Sequence, residues 1–317
     1  MDVLTDVLST MKVSSILYAR IEASAPWGID FEVHHAIKFC LVAQGHAWLV
    51  REGAPPILLS EGDFILTTAG AQYTLCDHPG SPSLSVKEVF GDSRHGVSQA
   101  TFIGGGGETT TLLNGILAFD VPDEAYFIDL LPQLVLIHQE QSSRLGFAVY
   151  MQRLSVEVED SSPGAQLVSN WLGGILFVHA IRVHADSPEG QRSGWLGALS
   201  DRKIAAALHA MHERVAHRWT VQELAETAGM SRSAFAEGFK GKVGKAPLEY
   251  LSDWRMHLAK RLLVDERQNL ALIASSLGYD SATAFSKAFK ARTGNTPSEY
   301  RTQKKASLFP KEAREPT

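Results

Sequence analysis

Two stretches near the C-terminus carry side chains suited to binding nucleic acid, at matched spacing. In each stretch two phenylalanines lie four positions apart and a lysine follows the second, at Lys240 and at Lys290. On a helix the phenylalanines share the buried face, so the lysine and its polar neighbours stay on the open faces. Ammonium, guanidinium and hydroxyl groups donate hydrogen bonds to phosphates and base edges. The predicted contact residues are Arg232, Ser233, Ala236, Glu237 and Lys240 in the first stretch and Ala282, Thr283, Ser286, Lys287 and Lys290 in the second.

These stretches belong to an internal repeat. Residues 220–251 and 269–301 align at an offset of 49 before a turn and 50 after it, so the second copy has one residue more in the turn. A repeat of fixed spacing indicates one supersecondary unit used twice. Each copy has a short apolar helix, a glycine-containing turn and a second helix with Ser, Thr and Lys on its open face. This is the pattern of a helix-turn-helix, whose second helix enters a DNA groove. Generic helical hairpins also bury aromatic pairs, but two copies with matched turns and endings favour DNA binding.

Local signals place the helices of the first copy and the connection to the second. Thr220 with Glu223 three positions later predicts a capping box at the first helix. Gly229 suits the turn, and Ser231 caps the helix that follows. Pro247 begins a helix that is predicted to run to Val264, which is roughly 27 Å at 1.5 Å per residue. A rigid spacer of that length suits two recognition helices in successive major grooves, about 34 Å apart.

The charge of the chain is unevenly distributed. The 317 residues carry a net charge of −5, yet residues 1–195 contain 10 Lys+Arg against 22 Asp+Glu, a net of −12. Residues 196–317 contain 20 Lys+Arg against 13 Asp+Glu, a net of +7. A basic domain attracts the phosphate backbone locally while the acidic one faces elsewhere. The length predicts about two domains.

The whole of residues 200–303 resembles the C-terminal domain of AraC/XylS-type transcription regulators. The resemblance implies a monomeric DNA reader that uses both helix-turn-helices, and contacts with RNA polymerase when the protein activates. Glu237 departs from the family, which often has arginine or another donor there; an acid can accept from cytosine N4 but repels phosphates. Lys240, Lys287 and Lys290 are expected to contact phosphates rather than bases. The motifs that carry the resemblance are Ala-Gly-Met-Ser (228–231), Phe-Lys-x-x-x-Gly-x-x-Pro (239–247), Tyr-Leu-x-x-Trp-Arg-Met (250–256), Ala-x-x-Leu-Gly-Tyr (274–279), Phe-Ser-x-Ala-Phe (285–289) and Gly-x-Thr-Pro-Ser-Glu-Tyr-Arg (294–301).

The N-terminal half alternates and turns in the manner of β-structure. Short strands separated by turns predict a small barrel or jelly roll. A hairpin turn is expected at 44–46, and the glycine run 104–107 is expected to be a flexible loop rather than a phosphate site, since no Lys-Ser/Thr or helix follows it. The predicted strands are 39–43, 47–51, 57–59, 64–66 and 73–75.

From about residue 126 the pattern becomes helical. Leu130, Leu131, Leu134 and Ile137 fit one helical face, and residues 145–158 are predicted as another helix. Residues 166–184 form a third, whose apolar stripe suits either the core or a dimerisation face. Residues 186–194 contain Pro, Gly and Ser, which indicates the linker between domains. The stripe consists of Leu167, Val168, Trp171, Leu172, Ile175, Val178 and Ile181.

The N-terminal half resembles the cupin-like sensor domain of one branch of the same family. The resemblance implies ligand sensing and dimerisation, with no common ligand. A barrel interior of apolar and aromatic groups is the default ligand site, and the predicted lining residues are Trp27, Trp48, Phe64 and Tyr73. The residues that carry the resemblance are 2–8, Ala25-Pro-Trp-Gly28, Leu58 with Gly62-Asp63, and 104–107 leading to Leu112-Leu113.

A catalytic metal site and a thiol switch are the chemical alternatives. A metal cupin needs two histidines one residue apart on one side of a strand; His34 and His35 are adjacent, and Tyr73 stands where related sensor domains commonly place a histidine. His46 and His78 suit surface or loop positions better than a metal site. For Cys40 and Cys76, thiol sensing would need an accessible thiolate of low pKa near a resolving partner, whereas Cys40 lies in an apolar strand, which favours an inert buried thiol. No cofactor or metal is therefore predicted.

Together these patterns predict an α+β protein: a cupin-like β-barrel followed by helices, then an all-α domain with two helix-turn-helix motifs. The expected function is a promoter-binding regulator, a homodimer controlled by an unknown small molecule, and not an enzyme. The alternatives are a metal-dependent cupin enzyme tethered to DNA and a constitutive regulator whose first domain only dimerises. The N-terminus lacks the pattern of a signal peptide, and the longest apolar stretch, 171–181, is too short to span a bilayer, so a cytoplasmic protein without membrane contact is expected. The predicted domains are 1–185 for sensing and dimerisation, 186–195 as linker, 196–305 for DNA binding and 306–317 as tail.

Overall fold

The computed structural model describes residues 2–10, 13–31, 37–68, 72–91, 100–119, 131–159, 162–192, 194–264 and 268–308. These residues divide into two compact units. A β-rich unit is formed by the described residues between 13 and 190. A helical unit is formed by residues 2–10 together with the described residues after 190. No helix in the described ranges is both long and apolar enough to cross a bilayer.

The β-rich unit, for which a small barrel or jelly roll was predicted, contains two hydrogen-bonded sheets that do not join into one closed barrel among the described residues. A six-stranded sheet has the order β11-β6-β3-β10-β1-β9 and a five-stranded sheet has the order β5-β4-β7-β2-β8. The strands are β1 (Val13–Ser24), β2 (Gly28–Phe31), β3 (Ile37–Gln44), β4 (His46–Val50), β5 (Ile57–Ser60), β6 (Phe64–Thr67), β7 (Tyr73–Cys76), β8 (Leu84–Ser85), β9 (Thr101–Gly104), β10 (Thr109–Phe119) and β11 (Leu134–Ile137). Helix α1 (Val3–Leu8) belongs to the helical unit, and the helices of the β-rich unit begin with α2 (Val86–Phe90), α3 (Gln139–Leu145), α4 (Phe147–Glu159) and α5 (Ala165–Asp186).

The six-stranded sheet is buried on both faces, which explains its continuous apolar strands. Cys40 and Val42 of β3 belong to the core between the two sheets. Phe39 on the same strand faces the other way, and its ring stacks 6.1 Å from that of Phe64. The ring of Phe64 in turn lies 4.4 Å from that of Phe147 on α4. Helices α4 and α5 therefore cover one face of this sheet while the second sheet covers the other.

Several local predictions for this unit were wrong. The segment predicted as a hairpin crosses between sheets instead: β3 pairs with β6 and β10, and β4 pairs with β5 and β7. Gly45 permits this crossing because its φ is +79° and a Cβ there would lie 2.6 Å from the carbonyl oxygen of Thr109. Residues 134–137, predicted as part of a helix, form β11 and pair with β6. Leu130, placed on the same helical face, lies outside the described residues.

The glycine run is held by hydrogen bonds rather than left open. The backbone N–H of Gly105 donates to the carbonyl of Ser24 at 2.9 Å. The N–H of Gly106 donates to the Ser24 hydroxyl at 2.9 Å, and that of Gly107 donates to the carbonyl of Ala25 at 2.9 Å. The run is a tight connection between β9 and β10.

The helical unit begins with α1 (Val3–Leu8) and continues after residue 190. Part of the predicted linker is helical and Trp195 at its end is buried, so the interdomain boundaries stay a prediction. The helix predicted for residues 247–264 is confirmed with both of its ends. The remaining helices are α6 (Pro188–Arg192, at the end of the β-rich unit), α7 (Gly194–Ser200), α8 (Arg202–Glu213), α9 (Val221–Thr227), α10 (Arg232–Val243), α11 (Pro247–Val264), α12 (Leu270–Ser276), α13 (Ala282–Thr293) and α14 (Pro297–Leu308).

Candidate nucleic-acid interface and effector site

The first helix-turn-helix consists of α9, a turn and α10. The predicted capping box is present: the Thr220 hydroxyl accepts from the N–H of Glu223, whose carboxylate accepts from the N–H of Thr220 at 2.7 Å. Gly229 turns the chain with a φ of +60°, a conformation that side chains with a Cβ disfavour. The hydroxyl of Ser231 then caps α10 by accepting from the N–H of Ala234 at 3.4 Å.

The second helix-turn-helix repeats this geometry with α12 and α13. Gly278 has a φ of +80°, and the Ser281 hydroxyl accepts from the N–H of Ala284 at 3.1 Å. The N–H of Tyr279 donates to the carbonyl of Ala274 at 2.9 Å. Met230 makes the equivalent 2.9 Å bond to Ala225 in the first copy. The repeat seen in the sequence is therefore a repeat of backbone hydrogen bonds.

Each copy also has the same aromatic core. Two buried phenylalanines on the second helix contact each other, and the second of them meets a tyrosine on the helix that follows. Burying one such ring stabilises a fold by roughly 1.5–3 kcal/mol. The ring centroids are separated by 5.5 Å for Phe235–Phe239, 5.9 Å for Phe239–Tyr250, 5.7 Å for Phe285–Phe289 and 5.5 Å for Phe289–Tyr300.

The ten predicted contact residues occupy the open faces of α10 and α13 in the same pattern. Ala236, Ala282 and Ser286 are partly buried, and the other seven are exposed. Among the described residues, none of the ion pairs involves Lys240, Lys287 or Lys290. Their ammonium groups are thus available to an outside anion. The exposed seven are Arg232, Ser233, Glu237, Lys240, Thr283, Lys287 and Lys290.

Ser286 differs from its neighbours because its hydroxyl already donates to the carbonyl of Ala282 at 2.7 Å. It can still accept a hydrogen bond from a base amino group. Glu237 is exposed at the equivalent of Lys287, so the two copies present opposite charges at one position of a shared scaffold.

Arg255, which sequence reasoning placed in a motif without giving it a role, joins the two copies. From α11 it donates to the carbonyl of Val215 at 2.9 Å and to that of His217 at 2.6 Å, just before the first copy. Its guanidinium also lies 5.9 Å from the ring of Tyr279 in the turn of the second copy. The available signal was the arginine itself within the motif 250–256, since its five donors suit several carbonyls at once.

The predicted effector-lining residues do not share one site. Trp27 and Tyr73 lie in the core between the two sheets. Phe64 faces the helices instead, as its contact with Phe147 shows. Trp48 alternates with the buried Ala47 and Leu49 on β4 and therefore points away from that core. Trp48 and Phe64 therefore face other sides of their sheets than Trp27 and Tyr73 do, because successive strand residues face opposite sides of a sheet. The effector-lining role of these residues stays a prediction.

The residues of the two chemical alternatives are dispersed. Both cysteines are buried and free; burial raises the pKa of the Cys40 thiol and raises that of Cys76 to about 11. His34 and His35 lie outside the described residues. His78 is exposed, with Nδ1 2.9 Å from the carbonyl oxygen of Pro79. Within the described ranges, no group of three His, Cys, Asp or Glu side chains converges on a metal position.

A β-rich domain joined in one chain to two matched helix-turn-helices defines a DNA-binding regulator with an appended β-rich domain. Comparison with known proteins agrees with this class. The Cupin family matches residues 2–186, and the Helix-turn-helix domain family matches residues 224–303.

The chain is also similar to individual transcription regulators. A putative AraC-like transcription regulator from Streptomyces lividans is 35% identical over 282 residues, covering 89% of this chain and 91% of that protein. The HTH-type transcriptional regulator AlkR from Acinetobacter baylyi is 27% identical, covering 89% of this chain and 93% of that protein. The DNA-binding domain of AdpA, solved in complex with a target DNA, is 29% identical over 34% of this chain and 96% of that one, with a TM-score of 0.31. The chain belongs to the AraC family of DNA-binding transcription regulators and has an N-terminal cupin domain.

Proposed function

We propose that the protein is a one-component regulator in which a small molecule, bound by the cupin domain, controls promoter binding by a homodimer. It acts in the cytoplasm and is not an enzyme. Effector binding changes the freedom or orientation of the two DNA-binding domains of the dimer, and the DNA-bound form contacts RNA polymerase when it activates. The matched exposure of α10 and α13 is the observation that carries the proposal.

The two recognition helices read different halves of one DNA sequence. Lys287 and Lys290 on α13 bind phosphates, and Thr283 and Ser286 reach base edges. On α10, Arg232 and Ser233 near the helix N-terminus lie where recognition helices contact bases. Glu237 accepts from cytosine N4, and Lys240 binds phosphate.

The connector helix supports the simultaneous use of both copies. Helix α11 has 18 residues, which is roughly 27 Å of rigid spacer. Arg255 on this helix donates to the carbonyls of Val215 and His217 and contacts the ring of Tyr279. It therefore links the segment before the first helix-turn-helix to the turn of the second. Two recognition helices on such a support suit two major grooves on one side of the duplex, about 34 Å apart.

The dimer is proposed to form through α5. Of the predicted apolar stripe on this helix, Ile181 is buried, whereas Leu167, Trp171 and Ile175 are 52%, 62% and 38% exposed. These three lie at i, i+4 and i+8 and form one outward ridge. A second copy of the same ridge would bury it, in the isologous manner of a twofold dimer. Two tethered DNA-binding domains then bind paired half-sites more tightly than one, through effective concentration.

The proposal is tested by selecting DNA from a random duplex pool with the purified full-length protein. The expected product is a pair of half-sites, each with two short conserved blocks separated by about one helical turn. Recovery of sequences without any conserved block would overturn promoter-specific binding. The tethered-enzyme alternative predicts stoichiometric iron, manganese or zinc in the purified protein, which elemental analysis measures directly.

A further inference from the structure

One carboxylate on the connector helix α11 contacts cations from both helix-turn-helix copies. Oδ2 of Asp253 lies 2.9 Å from Nζ of Lys245, which directly follows the C-cap of α10. Oδ1 of Asp253 accepts from the guanidinium of Arg292 in the last turn of α13. Each oxygen of this carboxylate therefore engages a different copy. These three residues, Asp253, Lys245 and Arg292, are called the Asp253 bridge below.

Burial distinguishes this bridge from an ordinary surface ion pair. The side chain of Asp253 is only 13% exposed, against 31% for Lys245 and 37% for Arg292. Partly buried charge pairs are screened by salt much less than exposed ones. The pair of Arg218 with Asp280 also reaches the turn of the second copy, but its side chains are 66% and 74% exposed, and exposed pairs contribute little. The Asp253 bridge is therefore the stronger ionic link.

The internal repeat shows which part of the bridge is local. Lys245 and Asp253 correspond to Asn295 and Gln303 at the offset of 50. Nδ2 of Asn295 donates to Oε1 of Gln303 at 3.4 Å, so neutral groups make the same local contact after the second recognition helix. A charge at position 253 is thus not needed to close that contact. What the carboxylate adds is its bond to Arg292 in the other copy.

The equivalent of Arg292 in the first copy is also held by an ion pair. Lys242 corresponds to Arg292 at the same offset, and its Nζ lies 3.1 Å from Oδ2 of Asp201, the N-cap of α8. Each recognition helix is therefore attached, near its C-terminal end, to the helix that precedes its copy. For α13 that helix is the connector α11, so this attachment fixes α13 relative to the first copy.

We propose that Asp253 is a positioning residue for DNA recognition, whose two ion pairs set the separation of α10 and α13. The protein then accepts one spacing between the two blocks of its DNA site. This rests on the proposed function, because both recognition helices must bind one site. Adding or removing one base pair moves the second block by about 3.4 Å and turns it by about 35°. A rigidly connected pair of helices cannot follow this change, whereas a loosely connected pair can.

The test measures spacing preference with the full-length protein. The selected DNA is compared with two duplexes that have one base pair inserted or removed between the conserved blocks, by fluorescence anisotropy. The wild-type protein should prefer the selected spacing by at least about tenfold, since a misplaced helix loses one or more base contacts. Asp253→Asn can still accept from Lys245 but carries no charge, and it should reduce this preference to about threefold or less.

Further variants separate the bridge from the local contact. Lys245→Asn combined with Asp253→Gln gives the first copy the neutral pair of the second, which is already compatible with the fold, and should show the reduced preference. Arg292→Met should do the same. Lys242→Met is the matched control, because it removes the equivalent cation of the first copy, and should keep the wild-type ratio. A wild-type ratio in the variants of the bridge, or an equal reduction in Lys242→Met, overturns the proposal.

A measurement without DNA distinguishes this proposal from the proposed function. Glu237→Cys and Lys287→Cys place spin labels on α10 and α13, and the native cysteines are buried. Pulsed electron resonance, with unlabelled protein in excess, gives the distance distribution within one subunit. Asp253→Asn should broaden this distribution, and an unchanged one overturns the positioning role even when DNA is selected. Broadening without any conserved DNA block would instead retain the positioning role and remove promoter-specific binding.

Discussion

The hydroxyl of Thr10 lies 2.8 Å from Nε2 of His257, although 247 positions separate the two residues. Both are buried. The hydroxyl donates its own hydrogen to the carbonyl of Val7 at 2.6 Å, so it accepts from His257, and Nε2 carries the proton. Residues 2–10 thus belong to the helical unit, where Val3 and Val7 of α1 are also buried.

Removing the Thr10 hydroxyl should weaken the helical unit. Thr10→Val keeps the shape but deprives His257 Nε2 of its acceptor, and we expect the free energy of unfolding to fall by about 1–3 kcal/mol. Urea unfolding followed by tryptophan fluorescence measures this change. Thr10→Ser, which retains the hydroxyl, is the matched control and should lose clearly less stability; equal losses would show that the hydroxyl contributes no more than the methyl group does.

Stability should fall in mild acid because two histidines are buried in the neutral form. Burial lowers the pKa of His212 to about 3 and that of His257 to about 4. In the unfolded chain both pKa values are about 6.5. As the pH falls from about 6.5 to about 4, the unfolded state takes up protons that the folded state does not, so stability decreases by up to about 1.4 kcal/mol per pH unit for each histidine.

His257→Gln should reduce this pH dependence by the share that His257 contributes, because glutamine donates a hydrogen bond but does not titrate. Unfolding free energies at pH 5 and pH 7.5 give the comparison. Exposed His78 in the β-rich unit is the control position, and His78→Gln should retain the full dependence. A variant at His257 with the wild-type slope would assign the effect to other groups.

The glycines of the two turns should differ in their tolerance of alanine. At Gly229 an added Cβ would have no atom within 4 Å. Gly229→Ala should therefore lower the free energy of unfolding only by the cost of a positive φ, about 1–2 kcal/mol. At Gly278 a Cβ would lie 2.3 Å from the carbonyl oxygen of Ala216, which forces the backbone to move. Gly278→Ala should therefore lower the unfolding free energy by more than Gly229→Ala, as measured by urea unfolding. The reverse order would contradict this close approach.

Lys287 should contribute one phosphate contact. For Lys287→Ala we expect weaker binding to the selected DNA and a plot of log K against log salt whose slope is reduced by about 0.9. Fluorescence anisotropy at four salt concentrations measures the slope. Lys87→Ala in the β-rich unit is the charge-matched control. An unaltered slope for Lys287→Ala would show that Lys287 makes no phosphate contact.

Trp171 should hold the dimer together. Trp171→Glu places a charge on the outward ridge of α5 and is expected to shift the protein to monomers in sedimentation experiments. Phe102, 78% exposed on β9, offers a control at an isolated apolar position: Phe102→Glu should leave the oligomeric state unchanged. A dimer that survives Trp171→Glu would place the interface elsewhere.

The sequence by itself determined the duplicated helix-turn-helices. Their caps, turns and aromatic pairs involve residues three to five positions apart. The local sequence is therefore enough to predict the cap at Thr220, the turn at Gly229 and the helix at 247–264. It also indicated which helix faces stay open, because helical periodicity separates Phe235 and Phe239 from Lys240.

Tertiary structure alone decided what depends on distant partners. Residues 134–137 are an apolar run too short to distinguish helix from strand by pattern, and pairing with β6 makes them a strand. Gly45 joins two sheets rather than two strands of a hairpin, because the partners of β3 and β4 come from elsewhere in the chain. The contact between Lys38 and the ring of Tyr73, and that between Thr10 and His257, likewise depend on packing between segments far apart in sequence, and no local propensity encodes such contacts.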